Sequence, residues 1–214
     1  TLYGNARRRT KAKSYLVDLW DKWPILDSKN PFLSLILDSA VLNIVNAYMG
    51  MWSKFFFLTL AIATPVPRGS QPVSSQTWHR DPEDRKMCKV FIYLGDVDEN
   101  SGPFIYVKGS HYSGRLGKLF PQKPPRGCSP PLGALENTVS KEDVITAVGK
   151  AGTVIFCDTS GLHKGGYAIS KERLMFTGGF FSAAALWPQK YDYPKDFRPL
   201  ENLGPMAKYA LKKL

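Results

Sequence analysis

The sequence predicts a mainly β protein, a double-sheet jelly roll with flanking helices, on three observations. From residue 55 onward, short apolar runs rich in β-branched and aromatic residues recur, each bounded by glycine, proline, serine or aspartate turns. Helical periodicity is confined to the segment before residue 50 and the one after residue 205. Many short strands after leading helices are the signature of two packed antiparallel sheets buttressed by helices. At 214 residues, with 43% hydrophobic and 22% charged residues, the chain is expected to form one domain, residues 1–214, with a sizeable core. No apolar run reaches the roughly eighteen residues that a membrane span requires.

Residues 13–23 read as a short helix. Asn30 before Pro31 marks the next helix start, because proline is tolerated at the first helical position. From there to Met49, Phe32, Leu35, Ile36, Ala40, Leu42, Ile44, Val45 and Tyr48 recur at helical spacing, and Gly50 is the stop. Residues 1–50 are thus the helical part and 51–190 the β core. Strands are predicted at 55–64, 88–94, 103–107, 144–148, 152–157 and 173–181. A loop rich in proline, glycine and serine fills 65–75. The stretch 113–142, dense in proline and glycine, reads as an irregular insertion of a length that is often functional. The tail, 191–214, ends in one amphipathic helix at 205–214.

The net charge of +11 raises the question of a nucleic-acid partner, since clustered lysine and arginine neutralise phosphates. The densest basic run, residues 7–13, carries no interleaved aromatic residue on which bases could stack. Solvated surface is the more ordinary role for such a run, and a mild attraction for an anionic small substrate is its functional counterpart. Cys88, Cys128 and Cys157 are odd in number, widely spaced and free of any pairing rhythm, which predicts free thiols and a reducing, cytoplasmic location. Cys88 and Cys157 sit in apolar runs as small hydrophobes.

The chemistry concentrates in Trp78-His79-Arg80-Asp81, with His163 and Arg173 far downstream. Residues two apart on an extended chain point to the same side, so His79 and Asp81 share a face. A distant histidine completes a three-point face around one ion, and His163, after the 152–157 strand and a tight turn, is placed to do so. Two imidazoles and one carboxylate with open coordination positions suit non-haem Fe(II). A lone His-x-Asp is common, and the competing account makes His79 a loop residue and His163 a turn residue. Only three histidines exist in the chain, however, and the pattern uses two of them. Arg173 opens a strand in which Arg173, Met175 and Thr177 share one face. An inward arginine is costly unless it meets an anion, and a guanidinium grips a carboxylate with two parallel hydrogen bonds. The role expected of it is to hold the far carboxylate of 2-oxoglutarate; the alternative is an exposed arginine beside Lys171 and Glu172.

The segment QTWHRDPEDRKMCKVFIYLGDVDENSGPFIYVKGSH, residues 76–111, resembles the core of the phytanoyl-CoA dioxygenase family of Fe(II)/2-oxoglutarate oxygenases. His-x-Asp is followed by a strand ending in Leu94-Gly95-Asp96, the Asn100-Ser101-Gly102-Pro103 turn and Gly109-Ser110-His111; Lys108 stands where proline is usual. The resemblance resumes at Gly161-Leu162-His163-Lys164-Gly165-Gly166 and Arg173. It implies a double-stranded β-helix (a cupin-like jelly roll) with His79, Asp81 and His163 as catalytic iron ligands and Arg173 as the cosubstrate anchor. Gln76 becomes a candidate for a further cosubstrate hydrogen bond, and His111 a structural histidine. The implied cofactor and cosubstrates are Fe(II), 2-oxoglutarate and O2. The implied reaction is hydroxylation of a small-molecule substrate, natural-product or lipid-derived, with succinate and CO2 released. Related halogenases replace the carboxylate ligand by a small residue, so Asp81 favours hydroxylation. The 55–64 and 152–157 strands are expected to give the pocket an apolar lining. A non-oxidative metal-binding member of the fold, an isomerase or binding protein, is the principal alternative, and a basic nucleic-acid-binding module the weaker one.

Overall fold

Two antiparallel sheets face each other in the computed structural model, which describes residues 7–8, 13–21, 23–27, 30–195 and 203–214. In chain order the elements are β1 (Arg7–Arg8), β2 (Leu16–Asp18), α1 (Pro31–Ile36), α2 (Ser39–Met49), β3 (Lys54–Ala63), β4 (Met87–Tyr93), β5 (Phe104–Val107), β6 (Val144–Ala147), β7 (Val154–Cys157), β8 (His163–Gly165), β9 (Arg173–Phe181) and α3 (Pro205–Leu211). The major sheet runs β1-β2-β3-β9-β4-β7 and the minor sheet β6-β5-β8. This is the jelly-roll arrangement expected.

The longest pairing, β3 with β9, runs from Lys54 opposite Phe181 to Ala63 opposite Arg173, with an irregularity at Phe55/Phe57. Alternation along these strands sorts residues to two faces. Leu58 and Leu60 of β3, Cys88, Val90 and Ile92 of β4, and Phe176 and Phe180 of β9 face outward. They pack on Leu33 and Ile36 of α1, Leu42, Val45 and Met49 of α2 and Ala207, Ala210 and Leu211 of α3. The inner face holds rungs that build the site: Phe57–Gly179–Lys89, then Thr59–Thr177–Phe91, then Ala61–Met175–Tyr93, and Ala63 opposite Arg173. Gly178 and Gly179 serve opposite faces. A Cβ on Gly178 would stand 2.7 Å from Cδ1 of Ile36, and one on Gly179 2.2 Å from the Phe57 ring.

Three local expectations are corrected. Residues 13–23 hold no α-helix among the described positions; β2 pairs with β3 instead, Leu16 opposite Ala63 and Asp18 opposite Ala61. The backbone groups along the edge of β3 win over the local preference of a short segment. The single helix predicted from Pro31 to Met49 is two, because the Asp38 side chain accepts from the Ala40 N–H at 2.8 Å and starts α2 anew. Asn30 caps α1 in the same way, and Gly50 closes α2 in the left-handed region. The extended spacing of His79 and Asp81 implies a strand beginning near Gln76; residues 74–76 instead form a 3-10 turn ahead of an extended segment. The basic run at 7–13 lies partly outside the described residues.

Residues 113–140 form a chain of turns with isolated bridges at Lys123, Arg126 and Cys128, and a 3-10 turn, Lys141–Asp143, follows. Cys88 and Cys157 are buried and all three thiols are free. No helix among the described residues is long and apolar enough to cross a membrane.

Candidate metal centre

His79 and His163 oppose each other as an antiparallel pair. The His79 N–H donates to the His163 carbonyl at 2.9 Å and the His163 N–H to the His79 carbonyl at 3.0 Å. This brings the ring centroids to 4.2 Å. The Asp81 N–H donates to the Thr159 carbonyl at 2.9 Å, so the extended run continues past Arg80. Strand alternation then turns His79 and Asp81 to one side and Arg80 to the other.

Both rings are held in one tautomer. His79 Nδ1 lies 2.9 Å from the Thr77 carbonyl and His163 Nδ1 2.9 Å from the Gly161 carbonyl. A carbonyl can only accept, so each Nδ1 carries the proton and each Nε2 presents a lone pair. Those lone pairs converge on Asp81, with His79 Nε2 at 3.7 Å from Oδ1 and His163 Nε2 at 3.4 Å from Oδ2. All three ligand atoms lie within 4.8 Å of one another. Such spacing suits one ion with metal–ligand bonds of about 2 Å. Burial, with His163 as the next cause, pushes the His79 imidazole down to about 4, so it is neutral at physiological pH. Burial alone would raise the Asp81 carboxyl, yet the Lys89 ammonium beside it outweighs burial and holds the group well below the usual carboxylate range.

Arg80, on the opposite side, is 2% exposed and donates only to carbonyls. Its Nε reaches Phe120 O at 2.8 Å, Nη2 reaches Leu119 O at 2.7 Å and Leu116 O at 3.3 Å, and Nη1 bonds Ser160 O at 2.6 Å and Ser110 O. One guanidinium between two metal-site residues thereby fastens the turns of the insertion to the loop before His163. The sequence reading gave Arg80 no role. The signal was present, since an arginine between His79 and Asp81 must point away from them, into the other wall.

Arg173 is 6% exposed, and burial lowers its pKa from the ordinary value, with Tyr93 opposing. Nη1 donates to the carbonyl of Gly102, the left-handed turn residue of the Asn100–Pro103 turn (φ 69°). Nε has no hydrogen-bond partner, and among the described residues no carboxylate pairs with this guanidinium. A Cβ on Gly165, two residues beyond His163, would stand 3.9 Å from Arg173 Nη2. Gly165 and Arg173 both line a cavity of about 820 Å³ that also touches His79, Asp81 and His163. Met175 and Thr177 share it with Arg173, as their spacing predicted. Apolar lining comes from Phe57 of β3, Phe91 of β4 and Phe104 of β5; residues 152–157 contribute none of it, because β7 lies at the sheet edge. The outer wall is polar in both senses, with Lys13, Lys190, Asp18 and Asp21.

Gln76 is buried, and its Oε1 accepts from the Val73 N–H at 3.2 Å while Nε2 has no partner. Its neighbour Ser75, rather than Gln76, lines the cavity. His111 lies outside the metal-type cluster, with Nδ1 at 3.3 Å from Ser113 Oγ. The residue that sequence reasoning missed in the cavity is Lys89. Its Nζ stands 2.6 Å from Asp81 Oδ2 and 3.1 Å from Glu83 Oε1. Period-two counting from Phe91 and Tyr93 places it on the inner face, but the apolar run around it masked a buried cation.

The model of the phytanoyl-CoA dioxygenase (PhyH) family matches residues 15–174. The chain belongs to this family. No curated protein matches the sequence. Among solved structures, SnoN is similar, described as a non-heme α-ketoglutarate-dependent epimerase from nogalamycin biosynthesis and solved with Fe3+, α-ketoglutarate and nogalamycin RO. Its TM-score is 0.60 at 16% identity, over 99% of this chain and 79% of that one. EctD from S. alaskensis, solved with 2-oxoglutarate and 5-hydroxyectoine, gives 0.55 at 14% identity over 94% and 68%. SnoK, described as a carbocyclase, gives 0.54 at 16% identity over 85% and 70%. At these identities the likeness establishes the fold: the double-stranded β-helix of PhyH enzymes.

Proposed function

We propose that the protein is an Fe(II)- and 2-oxoglutarate-dependent dioxygenase. It hydroxylates an unactivated C–H bond of a small substrate and releases succinate and CO2. The observation that carries this is a buried guanidinium without a carboxylate partner, in the same cavity as two imidazole lone pairs and one ionised carboxylate. A buried unpaired cation is costly and is compensated when an anionic ligand arrives.

In this scheme His79, Asp81 and His163 hold ferrous iron, their donor types being those that such an ion takes with open positions. The bound metal, with 2-oxoglutarate and O2, supplies an oxidant able to remove a hydrogen atom from carbon. The chain's own contribution is placement. Thr77 and Gly161 carbonyls fix the ring tautomers, and acceptors of this kind behind a ligand orient it and tune the metal. Arg173 takes the far carboxylate of 2-oxoglutarate in a bidentate grip, with the Gly102 carbonyl holding the guanidinium. Phe57, Phe91 and Phe104 keep water from the reacting carbon. Gln76 acts at one remove, bracing the turn that presents Ser75. The mixed charge of the outer wall leaves room for a natural-product or lipid-derived acid held by Lys13 or Lys190.

The test is a metabolite panel assayed for succinate formation that requires both Fe2+ and substrate, with product mass read for one added oxygen atom. Succinate with an unchanged product formula would move the reaction class to the epimerase kind that SnoN's description names. No 2-oxoglutarate binding to the metal-loaded protein by calorimetry would overturn the proposal.

A further inference from the structure

Lys89 is a buried lysine among inward residues of an otherwise apolar strand, with Gly179 beside it and Phe57 beyond on the same rung. Its ammonium is shared by two carboxylates, Asp81 Oδ2 at 2.6 Å and Glu83 Oε1 at 3.1 Å, and lies 5.3 Å from the Phe57 ring. All three charged side chains are enclosed, at 9%, 16% and 15% exposure for Lys89, Asp81 and Glu83. Glu83 follows Asp81 by two residues and reaches the same cavity. Its second oxygen, Oε2, has no hydrogen-bond partner, so the ammonium is the only partner that holds this carboxylate among the described residues. Stability does not account for the trio. A buried ion pair is at best neutral against apolar residues of the same volume, and apolar residues are what the rest of β4 carries.

The consequence lies in what Glu83 does when nothing holds it. A second flexible carboxylate beside two imidazoles and Asp81 completes a four-ligand set, the closed arrangement of a structural metal site rather than an open catalytic one. We propose that Lys89 is a positioning residue that keeps Glu83 off the metal, leaving His79, Asp81 and His163 as the protein ligands and the remaining positions free for cosubstrates. This rests on the metal-binding reading given above. The same ammonium restrains Asp81 through Oδ2, so one cation determines which of two neighbouring carboxylates becomes a ligand.

The experiment compares wild type, Lys89→Met and the double variant Lys89→Met/Glu83→Gln. Co2+ affinity is measured by calorimetry without 2-oxoglutarate, coordination by the visible absorption of bound Co2+, and 2-oxoglutarate affinity by calorimetry on the loaded proteins. Losing a repelling cation and gaining a ligand should tighten Co2+ binding by at least about tenfold in Lys89→Met. The absorption spectrum should change with it, and 2-oxoglutarate binding should weaken by about tenfold or more. Adding Glu83→Gln should return all three towards wild type. Lys89→Gln, which removes the charge and keeps a donor, is the substitute should the methionine variant fail to fold. A single variant with unchanged spectrum and equal or weaker Co2+ affinity overturns the proposal, as does a double variant that behaves like the single one. Failure of wild type itself to take up Co2+ overturns the metal reading, a different result from failure of the keeper role.

Discussion

Replacing Arg173 by methionine removes a guanidinium that is 6% exposed, bonded to the Gly102 carbonyl, and unpaired at Nε. Two quantities should respond differently. If the site awaits an anion, binding of 2-oxoglutarate to the metal-loaded protein loses a desolvated charge pair worth about 2–5 kcal/mol. The dissociation constant should then rise by about 30- to 5,000-fold. The metal-free protein, by contrast, sheds a buried cation lacking a counter-ion. Apolar replacement of buried ionic groups is often neutral or stabilising by about 1–4 kcal/mol. Leaving the Gly102 carbonyl without its donor returns about 1–3 kcal/mol of that. The two nearly cancel, so the expected balance is a metal-free variant within about 3 kcal/mol of wild type. Calorimetric titration of the cosubstrate measures the first quantity and urea denaturation of the metal-free protein the second. Saturation at a hundredfold excess over the wild-type Kd should stabilise wild type by about 2.7 kcal/mol and the variant by less than about 1 kcal/mol. An unchanged dissociation constant, or a metal-free variant weaker by several kcal/mol, would mean that Arg173 serves the fold and not an anion.

Arg80→Met should cost about 3–5 kcal/mol, because five carbonyl interactions in the other wall lose one shared donor. Limited proteolysis should then cut within 113–142 first, and resistance equal to wild type there would remove Arg80 as its anchor. Gly161→Ala places a methyl 2.1 Å from the Tyr106 hydroxyl and should destabilise by about 1–3 kcal/mol. Metal affinity should fall with it, since the Gly161 carbonyl holds the His163 ring; titration with Fe2+ under argon reads this. For pH, the His79 pKa is depressed from 6.5 to about 4 on folding, so its contribution is present above pH 6.5 and is lost as pH falls towards 4. That is about 3 kcal/mol of metal-free stability across the window. Denaturation midpoints that stay level from pH 7 to 4, or a His79→Gln variant with the same acid slope as wild type, would contradict it.

The strands of the core were legible because their inner and outer faces alternate: β9 was placed at its observed bounds, and Arg173, Met175 and Thr177 do share the cavity. His79, Asp81 and His163 stood out because few histidines compete for attention and the family's spacing is specific. What escaped was set by contacts between distant segments. Residues 16–18 became a strand because β3 offered an open edge. The break at Asp38 turned on one capping hydrogen bond within an otherwise continuous helical pattern. Lys89 and Glu83 were invisible as a pair because their partner is a metal-site carboxylate, and a lone lysine in an apolar run carries no mark of what it will meet.

Gly178 and Gly179 occupy consecutive positions yet answer to different halves of the molecule, one to the α1 side chain Ile36 and the next to the cavity wall through Phe57. A side chain at 178 would push a helix and register as lost stability. At 179 it would tilt an aromatic ring beside Lys89 and change what the cavity accepts. Reshaping the binding chamber without unsettling the scaffold is therefore best attempted at position 179, with Phe57 trimmed in the same step to make room.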